Sequence, residues 1–401
     1  MDLSFLKYQP QGRTVRLLIT GGGSGGHTFP LVAVVREIKK IALVQHIPLE
    51  ILYIGPKDFT LPYIEREGIM VRTIMAGKLR RRLSFANFLD IFKSIGGIFQ
   101  ALGYVYAFMP DIIFSKGGYG SFPAVLWGTL FFIPIAIHES DAVPGLVNSL
   151  MKKFARKIFI SFSFTQKYFS AQKTVLTGNP IREELVLPPD KKDDTIKILG
   201  LDQKKPVLTI IGGSQGSQHI NTLVLDILPK IIPQVQVIHQ TGKDNFDSVE
   251  KEADIVFQEI IKNESDKQYY HPCAFFEERD TPKLDSLRDV LLVSDLVIAR
   301  AGSGLIFEIA LNGKPSILIP LPWASRGHQF KNAYEYAYSG AAVVVEEGNL
   351  KTDIFSNLVL RLINDENKKK TMSEAAQKFA QPKAAEQIAQ YLLQEALLTQ
   401  K

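Results

Sequence analysis

The chain has 401 residues, 46% hydrophobic and 22% charged, an ordinary globular mixture long enough to bury two cores. Its one cysteine, Cys273, excludes a disulfide framework and a cysteine-based zinc site. The formal net charge of +6 conceals an asymmetry: residues 1–182 hold 22 Lys+Arg against 10 Asp+Glu, the remainder 25 against 31. A basic half of this kind meets phosphates, nucleic acid or an anionic membrane, although an uneven solvated surface gives the same statistic.

In chain order, the residues before Arg16 hold no uninterrupted apolar run, so no secretory leader is expected. Val15–Thr20 reads as a strand, followed by a glycine loop and a helix from Phe29 to about Val44. Leu49–Gly55, Ile112–Ser115 and Ile133–His138 are further strands of the first half. In the second half the strands are Val207–Ile211, Val235–His239, Leu296–Ala299, Ser316–Pro320 and Ala342–Val345. Such alternation of strands and helices predicts an α/β protein with parallel, doubly wound sheets. The longest apolar stretch, Phe122–Ile137, is broken by Pro123, Gly128 and Pro134 and is shorter than the ~20 residues of a spanning helix. It reads as a helix running into a buried strand, and the expectation is a soluble, cytoplasmic protein. The charged, proline-bearing stretch 183–206 is the predicted linker, giving domains 1–182 and 183–383. The amphipathic segment 384–401 either packs back on the first domain or stays with the second.

Three glycine-rich loops follow strands. Gly21–His27 lets backbone N–H groups approach an anion at a helix start, a setting for a phosphate or diphosphate. It also fits the dinucleotide fingerprint, but the second strand ends in Gly55-Pro56 without the acidic ribose partner, which weakens a nicotinamide reading. His27 closes the loop, either as a helix cap or as a proton shuttle. Gly212–Ser217 repeats the arrangement, with Ser214 as a phosphate donor, or is a tight turn without ligand. In Arg300–Glu308, Glu308 can accept from a ribose diol or simply complement the helix dipole.

The segments Ser115–Ser121 and His138–Gly145 also leave strand ends, where open α/β sheets bind ligands. Glu139 and Asp141 are acid/base candidates there, or loop caps. Arg182 reaches a phosphate or is a surface arginine. Lys78, Arg80, Arg81 and Arg82 precede Phe85, Phe88, Leu89, Phe92, Ile95, Phe99 and Leu102, which step by three and four. That pattern suits an anionic bilayer surface and equally a core-packed helix.

Taken together, Gly22–His27, Gly117-Gly118-Tyr119, His138–Asp141 with Pro144-Gly145-Leu146 and Asn148, Gly178–Arg182, Gly212–Gly216, Arg300–Glu308 and His328–Ala333 resemble, in order, the motifs of the MurG family. The likeness spans about residues 15–345. That family adds N-acetylglucosamine from UDP-N-acetylglucosamine to the lipid-linked muramyl-pentapeptide of the bacterial cell wall. The resemblance implies the GT-B fold, two Rossmann-like domains facing across a cleft, on the cytoplasmic face of the membrane as a peripheral protein. It implies a donor site of Ser24, Gly25, Gly26, Arg182, Ser214, Phe276, Ser303, Gly304, Leu305, Glu308, Gln329 and Asn332. The acceptor, a polyprenyl-diphosphate-linked muramyl-pentapeptide, would meet Gly25, Gly26, His27, Gly117, Gly118, Tyr119, Glu139 and Asp141. His27 is the first choice of general base, with Glu139 or Asp141 as alternatives or as partners that orient it.

The sequence departs from the family pattern at Asp141 (usually Asn), at Ser140 (usually Gln) and at Gly304-Leu305, a pair that normally includes Thr. No Asp-x-Asp pair occurs, so neither a metal clamp nor a tightly bound cofactor is expected, and the basic segment lacks a nucleic-acid motif. Protein partners are not named by the sequence. Rival readings are another GT-B glycolipid transferase, a UDP-sugar 2-epimerase, or a non-catalytic membrane-associated relative.

Overall fold

The computed structural model describes residues 13–399 except 24, 78–84, 183–184, 186–190, 214–215 and 277–282; for 85–92 it describes the backbone alone. The chain divides into two compact units: residues 1–182 with 381–401, and residues 183–380.

The first unit holds a seven-stranded sheet of β1 (Val15–Thr20), β2 (Leu49–Pro56), β3 (Met70–Ile74), β4 (Ile112–Ser115), β5 (Ile135–Glu139), β6 (Lys157–Ile160) and β7 (Thr174–Leu176). The second holds six strands: β8 (Val207–Ile211), β9 (Gln236–Gln240), β10 (Tyr270–Cys273), β11 (Leu296–Ala299), β12 (Ser316–Leu318) and β13 (Ala342–Val344). Every pairing is parallel. The strand orders are β3-β2-β1-β4-β5-β6-β7 and β10-β9-β8-β11-β12-β13. In each sheet the order reverses beside the first strand, between β1 and β4 and between β8 and β11. Ligands bind at such points, outside the carboxyl ends of the strands. The glycine loops leave β1 and β8 at these two places.

The strands read from apolar runs are fully covered, as strands sandwiched between helices must be. In β4, β5 and β8 every residue is buried. Phe122–Leu130 is a helix that runs on into buried β5. The helix after the first glycine loop begins at Gly25, one turn earlier than Phe29, so Gly25, Gly26 and His27 form its first turn.

The helix Ala384–Thr399 buries Ile388, Leu392 and Leu393 in one cluster with Leu31, Val34 and Ile38 of the helix Gly25–Val44 and Ile19 of β1. Its amphipathic pattern alone does not reveal which core it completes.

The helix Phe85–Phe108 shows a different face to the core than its apolar stripe suggests. Ala101 and Val105 are buried, whereas Ile95 and Phe99 are 45% and 65% exposed. Gly97 explains the choice. A methyl there would lie 1.8 Å from the Met75 carbonyl, so only glycine lets the helix approach the chain after β3. Among the described residues no helix is long and apolar enough to cross a membrane.

Candidate active site

In the first unit, the Gly21–His27 loop is braced from β2. Gly23 N–H donates to Asp58 Oδ2 at 2.7 Å. Asp58 Oδ1 in turn accepts from the Thr60 N–H at 2.8 Å and its hydroxyl at 2.6 Å. Gly23 takes a φ of +93°, and a methyl on it would lie 2.5 Å from the Tyr119 ring. Only glycine lets the loop after β1 and the Gly117-Gly118-Tyr119 loop after β4 touch. Ser24 lies outside the described residues.

His27 Nδ1 lies 3.2 Å from the Lys116 carbonyl oxygen. A carbonyl only accepts, so Nδ1 carries the proton and in the neutral ring the lone pair falls on Nε2. A methyl at Gly118 would stand 3.4 Å from Nε2, so the glycine leaves room beside the basic nitrogen.

Glu139 ends β5, is 4% exposed, and is spent on its own loop. Oε1 accepts from Asp141 N–H at 3.1 Å. Oε2 accepts from Gly145 N–H and Asn148 Nδ2, both at 2.9 Å. Burial raises the pKa of its carboxyl above the ordinary value, the Asp141 charge adds to this, and the three hydrogen bonds oppose it. Asn148 Nδ2 also reaches the His138 carbonyl at 3.0 Å. His138 Nε2 bonds the Gly178 carbonyl at 3.0 Å, tying this loop to Gly178–Arg182. Burial first, and Lys116 second, hold His138 neutral.

Lys116 is 1% exposed. Burial lowers it to about 8 despite the attraction of Glu139 and Asp141. Arg182 is buried in this unit with its guanidinium 4.4 Å from the centre of the Phe29 ring. It therefore lies beside the first turn of the helix Gly25–Val44.

In the second unit, Arg300 joins the loops. Its Nη2 donates to Ser217 Oγ at 2.6 Å. Nη1 donates to the Ile319 carbonyl at 3.2 Å and pairs with Glu347 at 2.6 Å. Ser217 Oγ also caps the helix Gln218–Ile231 by accepting from Ile220 N–H. A methyl at Gly216, whose φ is +75°, would come within 2.1 Å of the Thr241 carbonyl, so this loop too needs glycine.

The helix Ser303–Leu311 starts after Gly302, which offers no side-chain cap to its first turn. Ser303 is 6% exposed, and Gly304, Leu305 and Glu308 are half-buried on the same helix. Gln329 Oε1 accepts from Leu321 N–H at 2.9 Å. Asn332 is fully buried and its Nδ2 donates to the Ala301 carbonyl at 3.2 Å. Phe276, 8% exposed, follows β10. Ser214 and Gln215 lie outside the described residues.

The glycosyltransferase family 28 N-terminal domain matches residues 17–160, and the family's C-terminal domain matches residues 207–388. The chain belongs to glycosyltransferase family 28. It is 36% identical over 358 residues to a Bacillus cereus family 28 relative named UDP-N-acetylglucosamine--N-acetylmuramyl-(pentapeptide) pyrophosphoryl-undecaprenol N-acetylglucosamine transferase 2, covering 89% of this chain and 94% of that protein. A Clostridium novyi relative of the same name, without the numeral, is 38% identical over 360 residues, 88% and 92% of the two chains. The crystal structure of Acinetobacter baumannii MurG superposes with a TM-score of 0.70 at 22% identity, over 95% of this chain and 99% of that one. This likeness shows the GT-B fold of two Rossmann-like domains.

Against this family background, sequence reasoning passed over three residues that organise the site. Asp58 lies beyond the end of the second strand, off the position of a ribose partner, yet it holds the Gly23 amide. Arg300 was read as one end of a motif, yet it laces three loops. Lys116 carried no role, and nothing in its neighbours' spacing signals that its side chain turns inward.

Proposed function

We propose that the chain catalyses the inverting transfer of N-acetylglucosamine from UDP-N-acetylglucosamine to a polyprenyl-diphosphate-linked N-acetylmuramyl-pentapeptide. The observation that carries the substrate assignment is the likeness at 36–38% identity, over nearly the whole length, to transferases bearing that name. The geometry supports it at His27.

In this reading the acceptor lies on the first unit, its diphosphate on the amides of Gly25 and Gly26 at the helix start and its sugar beside Gly117, Gly118 and Tyr119. The acceptor's 4-hydroxyl oxygen bonds to the anomeric carbon, the bond from that carbon to the UDP oxygen breaks, and the hydroxyl proton passes to His27 Nε2. Glu139 acts by holding its loop, since both of its oxygens are engaged by N–H donors. Asp141 faces the same loop as an acceptor. Arg182 adds a fixed cation beside the first turn.

UDP-N-acetylglucosamine lies on the second unit. The amides of Gly212–Gly216 with Ser214 receive the diphosphate charge as it develops. The first turn at Ser303, Gly304 and Leu305 and the carboxylate of Glu308 serve the nucleoside, with Phe276 against the base. Gln329 faces the sugar, and Asn332 supports that wall through the Ala301 carbonyl.

The basic first unit also meets the anionic cytoplasmic face of the membrane. Phe99 and Tyr106 of the helix Phe85–Phe108 are 65% and 68% exposed, and Leu130 and Phe132, at the end of the helix packed against it, are 53% and 93% exposed. Such aromatic and aliphatic side chains suit an interface. Lys78, Arg80, Arg81 and Arg82, and the side chains of Phe85, Phe88, Leu89 and Phe92, lie outside the described residues.

The test is UDP release from UDP-N-acetylglucosamine with and without a short-chain lipid-linked muramyl-pentapeptide. Acceptor-dependent release with a disaccharide product is expected. Release without acceptor would identify an epimerase or a hydrolase, and donor binding without release would overturn the acceptor assignment.

A further inference from the structure

Lys116 is the first residue beyond β4, at the point where the first sheet reverses its order. It is 1% exposed, and its Nζ finds no hydrogen-bond partner among the described residues. A buried ammonium in that state is costly, so its retention calls for a reason. Ser115 pairs with Ile137 across β4 and β5, which sets Lys116 beside His138 and one residue from Glu139. Its carbonyl holds His27 Nδ1. Its next neighbour, Gly117, packs on Asn148, the residue that binds Glu139: a methyl there would lie 2.9 Å from the Asn148 amide. The titratable groups facing this place are therefore His138 and Glu139 from the end of β5, Asp141 from the loop after it, and His27 from the helix Gly25–Val44. Tyr53 and Asp58 face Gly22 from β2 and the loop after it, and Tyr119 lies in the loop of Lys116 itself.

We propose that Lys116 is a positioning residue for the transfer: its buried ammonium keeps Glu139 an acceptor of N–H bonds, and so keeps the loop from Glu139 to Asn148 in the shape that removal of the acceptor proton by His27 requires. The inference rests on the reading that His27 receives that proton. Asp141, two residues after Glu139, adds its charge to the burial that already raises Glu139. The buried cation offsets the added charge. Protonating Glu139 would spoil an acceptor of N–H bonds and loosen the loop from Asp141 to Asn148. Removing the cation makes Glu139 hold its proton to higher pH, and removing the Asp141 charge does the reverse.

The experiment is the pH profile of kcat/KM for Lys116→Met in the full chain, with UDP-N-acetylglucosamine and a short-chain lipid-linked muramyl-pentapeptide. The acid limb is expected to move up by about one pH unit or more. The double variant Lys116→Met with Asp141→Asn is expected to bring it back, because one negative charge has gone with the positive one. A lower plateau with an unmoved limb would mean a merely structural lysine and overturn the proposal. Should Lys116→Met fail to fold, Asp141→Asn alone decides: its limb is expected to move down, and an unmoved limb overturns the proposal. Wild-type turnover in the same assay separates the two readings, since absence of acceptor-dependent product condemns the function itself and not the lysine.

Discussion

The two units are built on the same plan and differ in what lies at the carboxyl ends of their strands. In the first, the strand ends gather Asp141 beside Lys116, His138 and Glu139, three ionisable groups that burial moves from their ordinary values. In the second, the loops after β8, β11 and β12 are laced by one arginine through short hydrogen bonds and an ion pair. Under the proposed function the first edge manages a proton and the second keeps a binding surface still. On that reading one topology serves twice, and the distinction comes from side chains at loop ends rather than from the sheets.

Substitutions can break that division. The largest effect is expected for His27→Ala, which should lower turnover roughly 10²–10⁴-fold while leaving the affinity for UDP-N-acetylglucosamine intact. Near-normal turnover in a variant that still binds donor would remove His27 from its role.

Arg300→Met should act in the opposite sense. It removes the bonds to Ser217 and the Ile319 carbonyl and leaves the half-buried Glu347 to His219, at a cost of about 1–3 kcal/mol in stability. It should also raise the KM for the donor more than it lowers kcat. Calorimetry and donor titration test it, and an unchanged donor KM would show that the lacing is structural alone.

Gly23→Ala should cost about 1–3 kcal/mol through its left-handed φ and push Tyr119 aside. Acceptor KM should rise with donor KM unchanged. The smallest effect on chemistry is expected for Phe99→Ser with Phe132→Ser. Turnover of a soluble acceptor should stay the same, whereas binding to vesicles containing anionic lipid should weaken, each phenylalanine being worth up to ~1.5–3 kcal/mol when fully buried. Equal vesicle affinity in the variant would move the membrane face elsewhere.

Much of this frame is legible in the sequence, and the reasons for the rest are physical. Central strands such as β8 are unbroken apolar runs because both faces are covered. β3, with only Ile74 buried, has no such run and escapes notice. β10 contains Pro272, which argues against a strand; it is tolerated because β10 is the edge of its sheet and one face of its backbone needs no partner. The glycines at 23 and 216 can be seen in the sequence, but what they approach cannot, because the Tyr119 ring and the Thr241 carbonyl are brought there by other strands. The Phe85–Phe108 stripe is a partial guide to the core for the same reason: Ala101 and Val105 enter the core with Tyr104 and Phe108 packed on it, while Ile95 and Phe99 stay outside. Lys116 is the extreme case, since a lysine just past a strand reads as solvated and its burial is decided by the neighbouring loop.

The helix Ala384–Thr399 has a consequence for how the molecule is made. It is synthesised after the whole of the second unit, yet it covers Leu31, Val34 and Ile38 in the first. On the ribosome the first unit must wait with that apolar seam open while about two hundred further residues emerge. A nascent chain in that condition is a natural client for chaperones. Interrupting translation before residue 384 would release a polypeptide whose second unit has all its strands and whose first still lacks part of its wall.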